Sequence, residues 1–549
     1  MTTFAADSAT RPESPVVQSS LAEAPRASGS ATDDLLRRQA ELIQKLSERL
    51  EQVERQQQAQ AASTEQSRAA EVEVLLRRIA ELEGKVASIE EGRLLPEIAV
   101  EPADAPSPEA LDQKIRVLER NTELATEAAE ERARQQPQLQ VGPAGVYLRS
   151  ADTNFVLRLR ALFQVDSRTF FDDNPLNEGN DGFVIRRARP IFEGTVYRDF
   201  DFTIMPDFGQ QQIQLFDAYM NYKNRPELQL RAGKFKAPVG LEMQQSAGSL
   251  WFNERSLATD LLPNREVGLQ FWGQMEDWGL TYAVGVFNGS GDGDIAANLA
   301  FDDNPEFAGR VFAQPFKQSR FKPIQGLGLG LAGTYTQVSS NAAGLPNNIG
   351  GTIPGYWTAG QQQFFAYNPL VGPVVADGAH WRLAPQMSYY WGPFGFMGEY
   401  STANQGVYNS TTFRSAALQN RAWNIAGEWV LTGEEASFGA ITPRRPFDPR
   451  TGGWGAWQLM ARYGQLDIDD EAFRGFSNPA TSASGAQSWS VGVSWWLNRN
   501  IRIMTSFSYT MFDGGGAPFN PVDPGTAEPP ATVTTQPESV FLTRMQLAF

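Results

Sequence analysis

The chain has 549 residues, too many for one ordinary core, and a formal net charge of -16. That acidic balance argues against nucleic acid as a partner, since nucleic-acid binders present a net basic face. There is no cysteine and one histidine, His380, which excludes disulfides, thiolate metal sites and thiol nucleophiles and leaves little room for a His-based zinc site or a Ser–His triad. No catalytic residue, metal ligand or cofactor is expected, and the chain does not read as an enzyme.

Composition changes abruptly near residue 140. Before it the sequence is rich in Ala, Glu, Gln and Arg; after it come all 13 Trp, nearly all the other aromatics and most of the Gly. Residues 1–32 are small and polar with scattered Pro, the composition of a disordered tail. The opening MTTFAADSAT has neither a basic n-region nor an apolar h-region. A surface barrel needs export, so the signal is expected to have been removed, or the start assigned too far downstream.

Residues 33–95 carry heptads. Leu36, Ile43, Leu46, Leu50 and Val53 fall on a and d positions, continued by Gln57 and Gln60. Val72, Leu75, Ile79, Leu82, Val86 and Ile89 then repeat at 3-4-3-4 spacing, one residue out of phase. So narrow an apolar stripe is buried by the same stripe on another chain, which predicts an α-helical coiled coil. Residues 96–140 form a Pro-rich linker (Pro96, Pro102, Pro106, Pro108) with a short helix that places Leu111, Ile115, Leu118 and Ala125 on one side.

From residue 141 to 549 the period is two. Phe155, Leu157, Leu159, Ala161, Phe163 and Val165 alternate with Arg158, Arg160, Leu162, Gln164, Asp166 and Arg168. The same alternation recurs at 188–196, 489–497 and 501–509, in about 16 segments of about ten residues, the length a tilted strand needs to cross a bilayer. Trp272, Trp278, Trp381, Trp391, Trp457 and Tyr463 sit near segment ends, as in interfacial girdles. Short connections (198–201, 224–226, 276–277, 497–500) trade with long polar ones (171–182, 288–306, 338–378, 512–537), the habit of an outer-membrane barrel. No run approaches the ~18 apolar residues of a spanning helix. The expected fold is an all-β transmembrane barrel of about 16 antiparallel strands, preceded by the coiled coil.

Alternation puts Arg158, Arg160, Arg168, Arg187, Arg189, Arg231, Arg310, Arg382, Arg462, Arg502 and Arg544 inside, against the acids Asp166, Glu193, Asp207, Asp217, Glu399 and Glu428. An acidic protein therefore carries an arginine-rich lumen, and rings of arginine are how anion pores select. Segment 236–263 is unusually apolar for a surface loop, which suits an inward-folded constriction carrying Lys236, Glu254 and Arg255. The acidic stretch GSGDGD is read as a solvated turn, and His380 as a strand-end residue without an evident partner.

The stretches FVIRRARPIFEG, YRDFDFTIMPDFG, LFDAYMNY, RAGKFKAPVGLE, FNERSL, PNREVGLQFWG, EWVLTGE, GAWQLMARYGQLDIDD and VGVSWWLNRNIRI, with the terminal Phe549, together resemble the phosphate-selective porin (O and P) family over nearly all of 142–549. The resemblance implies a trimer of 16-stranded barrels with an inward third loop and an arginine-lined pore. By matched motif it also implies that Arg186 and Arg187 are constriction arginines, Asp217 a motif acid, Arg255 an anion-coordinating arginine and Ser246 a loop serine. A lysine expected shortly before that serine is replaced by Met243.

The function expected is a passive, anion-preferring channel, with phosphate selectivity as the narrower reading. The substrate-binding residues would be Arg158, Arg160, Arg186, Arg187, Arg189, Asp217, Lys236, Ser246 and Arg255. Its partners would be inorganic phosphate or other small anions, membrane lipid and lipopolysaccharide, two further copies of the chain and, through a periplasmic coiled coil, the cell wall. The alternatives are a porin for sugars or other small solutes and an envelope-tethering structural barrel in the bacterial outer membrane.

Overall fold

A computed structural model describes residues 137–171, 180–210, 213–293, 295, 303–338, 353, 355–367, 372–514 and 537–549, with helical residues at 113, 116, 117 and 120–124. The chain divides into two compact units, Met1–Leu118 and Glu119–Phe549. The heptads lie outside the described residues.

Two short strands, β1 (Gln138–Gly142) and β2 (Gly145–Arg149), precede β3 (Phe155–Phe170), β4 (Gly182–Val196), β5 (Phe200–Asp207), β6 (Gln214–Arg225) and β7 (Leu228–Lys236). Then follow β8 (Arg265–Met275), β9 (Leu280–Phe287), β10 (Glu306–Ala313), β11 (Leu327–Val338) and a small hairpin, β12 (Tyr356–Trp357) with β13 (Gln363–Phe365). The chain ends through β14 (Val374–Trp391), β15 (Phe394–Asn409), β16 (Arg414–Val430), β17 (Ala456–Asp467), β18 (Gly485–Trp496), β19 (Ile501–Asp513) and β20 (Glu538–Ala548). From β3 to β20, leaving out the separate β12–β13 hairpin, each strand pairs antiparallel with the next, and β20 returns to β3 with Arg544 opposite Asp166. Sixteen strands thus close a barrel. Closure leaves no edge, which is what lets a sheet sit in lipid with every backbone group paired.

Period-two alternation sorts the side chains as the sequence predicts. On β17 to β20, Leu459, Trp489, Val491, Phe541 and Met545 are exposed on the outside, while Met460, Ser490, Ser494, Arg502, Met504 and Arg544 are buried inside. Near one rim the outward rings of Trp457 and Trp495 stack at 5.3 Å, and those of Phe394 and Trp429 at 5.9 Å, as an interfacial girdle requires. Trp272 departs from that assignment. It faces the lumen, donating from Nε1 to Asn221 Oδ1 at 2.8 Å.

The rims also depart from strict alternation of loop length. Residues 410–413 make a tight turn on the long-loop rim, whereas 431–455 form a long connection on the short-turn rim. Its Ala436 and Ile441 pack with Val430, Ala456 and Trp496, and its Phe438 carbonyl accepts from Gln245 Nε2 at 3.0 Å. This connection folds inward because its apolar side chains find apolar inner wall there.

Candidate functional site

The segment between β7 and β8, residues 237–264, lies inside the barrel. It contains one helical turn, α1 (Leu241–Gln244), and a short 3-10 turn at Leu257–Leu261. Leu241, Trp251 and Phe252 are buried against Met397, Ala426, Met460 and Met504 of the inner wall. Leu257, Ala258 and Leu261 are buried against Ala403, Leu418, Ala422 and Leu466. Each buried leucine or phenylalanine among them contributes about 1.5–3 kcal/mol, enough together to hold the loop in the lumen.

Polar wall residues complete the docking by bonding to loop carbonyls. Arg502 Nη1 donates to Leu250 O at 2.6 Å, Arg462 Nη1 to Glu254 O at 2.9 Å, Gln164 Nε2 to Ala247 O at 3.1 Å and Gln546 Nε2 to Gly248 O at 2.8 Å. Lys236 Nζ closes the loop's base on Gln244 O at 3.2 Å and Gln245 O at 2.8 Å. Two of the arginines expected in the lumen, Arg462 and Arg502, thus help fasten the loop.

At the loop's tip sits Glu254. Arg186 grips it through Nε (2.7 Å) and Nη2 (2.9 Å), Arg544 Nη2 adds a contact at 3.2 Å, and Arg187 Nη2 lies 3.6 Å away. Burial works to raise this carboxyl, but Arg186, Arg187 and Arg544 overcome it and hold Glu254 well below the usual carboxylate range. Arg186 and Arg187 reach the same carboxylate because the β3–β4 register slips at Arg186: Gln164 faces Arg187 while Val165 faces Ile185. The bulge turns two consecutive residues inward, which strict alternation forbids.

Beside Glu254 lies a cavity of about 260 Å³ lined by Arg186, Arg187, Arg189, Arg255 and Arg265, with three acids, Asp207, Glu254 and Asp260. Arg189 pairs with Asp207 at 2.7 Å and Arg265 with Asp217 at 3.2 Å, and both guanidinium groups lie over the Phe216 ring, at 3.9 and 4.6 Å. Arg255 donates to the carbonyls of Glu242 (3.2 Å) and Gln245 (3.0 Å) and makes no ion pair among the described residues. Burial lowers it to about 10, with Arg265 adding to the effect, so it is charged at neutral pH. Asp260 is different. Burial raises it to about 8, against the hydrogen bond from Trp357 N and with help from Asp292 and Glu242, so it is mainly protonated at neutral pH. The cavity then holds five cations against two anions.

Of the residues singled out in the sequence, Arg186, Arg187, Arg189 and Arg255 converge on this cavity, and Met243 lines it where a lysine was expected. Asp217 and Lys236 line a neighbouring cavity. Arg158 and Arg160 lie toward the short-turn rim, both paired with Glu193 (3.4 and 3.0 Å). Ser246 is exposed and lines neither cavity; its Oγ accepts from Gly248 N at 3.4 Å. Several lumenal arginines are neutralised by acids, some of them loop-borne ones that alternation does not reveal (Glu242, Glu254, Asp292). Arg168, Arg231, Arg255, Arg310 and Arg502 form no ion pair among the described residues.

Sequence reading missed Arg265, Asp260, Trp357 and Gln361 in the cavity wall. The first lies within a quoted stretch, but nothing there marks it as lumenal. The last two arrive on the β12–β13 hairpin, which folds inward with Tyr356 buried and its hydroxyl 3.1 Å from Asp292. Two expectations are overturned nearby. Asp292 of the GSGDGD stretch is not a solvated turn residue: it is 3 % exposed and accepts from Arg382 Nε at 2.7 Å. His380 is not a strand-end residue without a partner. It lies within β14, buried, with Nε2 3.2 Å from Asp292.

A closed 16-stranded barrel with an outward apolar face, aromatic girdling and a loop narrowing its lumen defines an outer-membrane porin. The chain belongs to the family described as phosphate-selective porin O and P, whose profile matches residues 157–511. Among solved structures it is similar to the outer membrane channel DcaP of Acinetobacter baumannii, at 10% identity and a TM-score of 0.45, over 75% of this chain and 99% of that one. It is also similar to OmpT of Vibrio cholerae, at 10% identity and a TM-score of 0.43, over 72% and 98%. An anion-selective porin from Comamonas acidovorans matches at 9% identity and a TM-score of 0.41, over 72% and 100%. No curated protein sequence matches.

Proposed function

We propose that this porin is a passive channel that prefers anions, with inorganic phosphate among its solutes. One observation carries the reading: five guanidinium groups border the lumenal cavity beside the loop tip, where Asp260 is mainly neutral and three carboxylates oppose them, Asp207 and Glu254 on the lining and Asp217 paired with Arg265. Four of those cations, Arg186, Arg187, Arg189 and Arg255, are residues the sequence already nominated, and the bulge is what turns Arg186 inward beside Arg187. Guanidinium groups in a partly dehydrated space favour oxyanions, whose oxygens accept paired donors. Met243 supplies no charge where the family resemblance leads one to expect lysine, so the positive charge of the site comes from its arginines. Chloride current through single channels should saturate in millimolar phosphate, and Arg187→Gln and Arg255→Gln should each weaken that block about tenfold. An unchanged block in both variants would move the site elsewhere.

The remaining parts of the reading rest on sequence. Residues 33–95 associate as a coiled coil in the periplasm, in a trimer, and space or tether the barrel relative to the cell wall. Deleting residues 1–110 should leave conductance in place and abolish envelope attachment; attachment that survives the deletion would remove the tethering role.

A further inference from the structure

Between the base of the constriction loop and the short-turn rim, the inner faces of β6 to β10 border a second cavity, of about 340 Å³. Its walls combine rings and cations: Tyr219, Phe235 and Trp272 with Arg231, Lys236 and Arg310. The acid on its lining, Asp217, is already bonded to Arg265. Arg231 is the centre of the arrangement. Its guanidinium carbon lies 4.7 Å from the Tyr219 ring, 4.9 Å from Trp272 and 5.4 Å from Phe235. It forms no ion pair among the described residues, and its Nε is buried without a hydrogen-bond partner. Arg310, on the adjoining wall, donates to the neutral Gln386 Oε1 at 3.1 Å and forms no ion pair among the described residues.

A guanidinium stacked on rings has its flat faces covered and its N–H edge left for a ligand, and that edge fits a carboxylate through two parallel hydrogen bonds. A carboxylate meeting Arg231 in this way would bring its own body against Trp272 and Tyr219. An aromatic body there leaves water and meets the rings in the offset or edge-on packing that adds to simple burial. Chloride, phosphate or acetate gains the charge contact and leaves the rings wet.

We infer that this cavity is a second binding site, on the periplasmic side of the constriction, that selects small aromatic carboxylates over inorganic and aliphatic anions. The inference rests on the anion-channel reading, because its ligand must first pass the five arginines above it.

The test uses the full chain in planar bilayers, with benzoate, cyclohexanecarboxylate and acetate added against a chloride current. Benzoate should half-block at a concentration about tenfold below acetate, with cyclohexanecarboxylate clearly weaker than benzoate. Arg231→Gln should erase the benzoate advantage. Arg231→Lys, which keeps the charge but loses the planar fork, should erase it while retaining block by acetate. Trp272→Leu leaves every charge in place and gives the same reading should the glutamine variant fail to insert. Equal block by benzoate and either of the other acids, or a benzoate advantage that survives all three substitutions, overturns the inference while leaving the anion channel standing. The reversal potential of the same channels in a KCl gradient reads the parent proposal separately; preference for K⁺ would remove both.

Discussion

Glu254 is a carboxylate held where three arginines converge, and it decides how much positive charge the constriction offers to solutes. Two consequences follow at this position. Glu254→Gln removes the counter-charge of Arg186 and Arg187, while Arg544 keeps its pair with Asp166 at 2.7 Å, so the Cl⁻/K⁺ permeability ratio should rise. The same change leaves buried guanidinium groups uncompensated, a loss of roughly 3–5 kcal/mol for a broken buried pair, so thermal unfolding should move to lower temperature. A variant with higher selectivity and unchanged stability would show that Glu254 is not gripped as described. Asp260 supplies a pH dependence with a defined sign. Its carboxyl is raised to about 8, so it is neutral below that value and adds a negative charge above it. Anion preference should therefore fall, by about twofold, as pH rises from 7 to 9, and Asp260→Asn should flatten the profile. A ratio that is flat in the wild type, or that rises with pH, would contradict the assignment.

At the scale of elements, what could be read in the sequence follows from what alternation encodes. Period two reports which face a strand residue occupies, so it places Arg187, Arg189 and Arg544 inside from their neighbours alone. It is blind to a bulge, and Arg186 entered only through resemblance to a family motif; the register slip opposite Gln164 supplies the physical reason. It is equally blind to loops that fold back. The apolar run at 236–263 betrayed one of them, because Trp251 and Phe252 have no place on a solvated surface. The β12–β13 hairpin sits in a long, mainly polar connection whose aromatic residues (Tyr356, Trp357, Phe364, Phe365) have no period to show that they fold inward, so Gln361 and Trp357 stayed hidden, as did Asp292, the partner of His380, in the connection after β9. Trp272 misled for a related reason: an aromatic ring near a strand end suits a girdle or an arginine stack, and only the pairing of Asn221 with Arg231 puts it on the inner face. Local geometry also limits substitution. Gly233 on β7 has φ of 127°, and a Cβ there would lie 2.3 Å from Ala218 O. Gly233→Val should therefore sharply reduce the yield of folded, heat-modifiable barrel on gels, and a normal yield would mean that β6 and β7 pair in another register.

For the whole molecule, the acidic total conceals an uneven distribution of charge. The formal charge of -16 belongs to the entire chain, whereas the lumenal cavity beside the loop tip is bordered by more cations than ionised acids. A porin's selectivity is set where its passage is narrowest and driest, because charges there are least screened. An acidic protein should therefore prefer anions. The most direct measurement is the zero-current potential of the full chain in a planar bilayer separating two KCl concentrations. A potential whose sign shows chloride as the more permeant ion, and which shrinks when Arg187 and Arg255 are both changed to Gln, is the predicted result. A potential favouring K⁺ in the unmodified channel would contradict it.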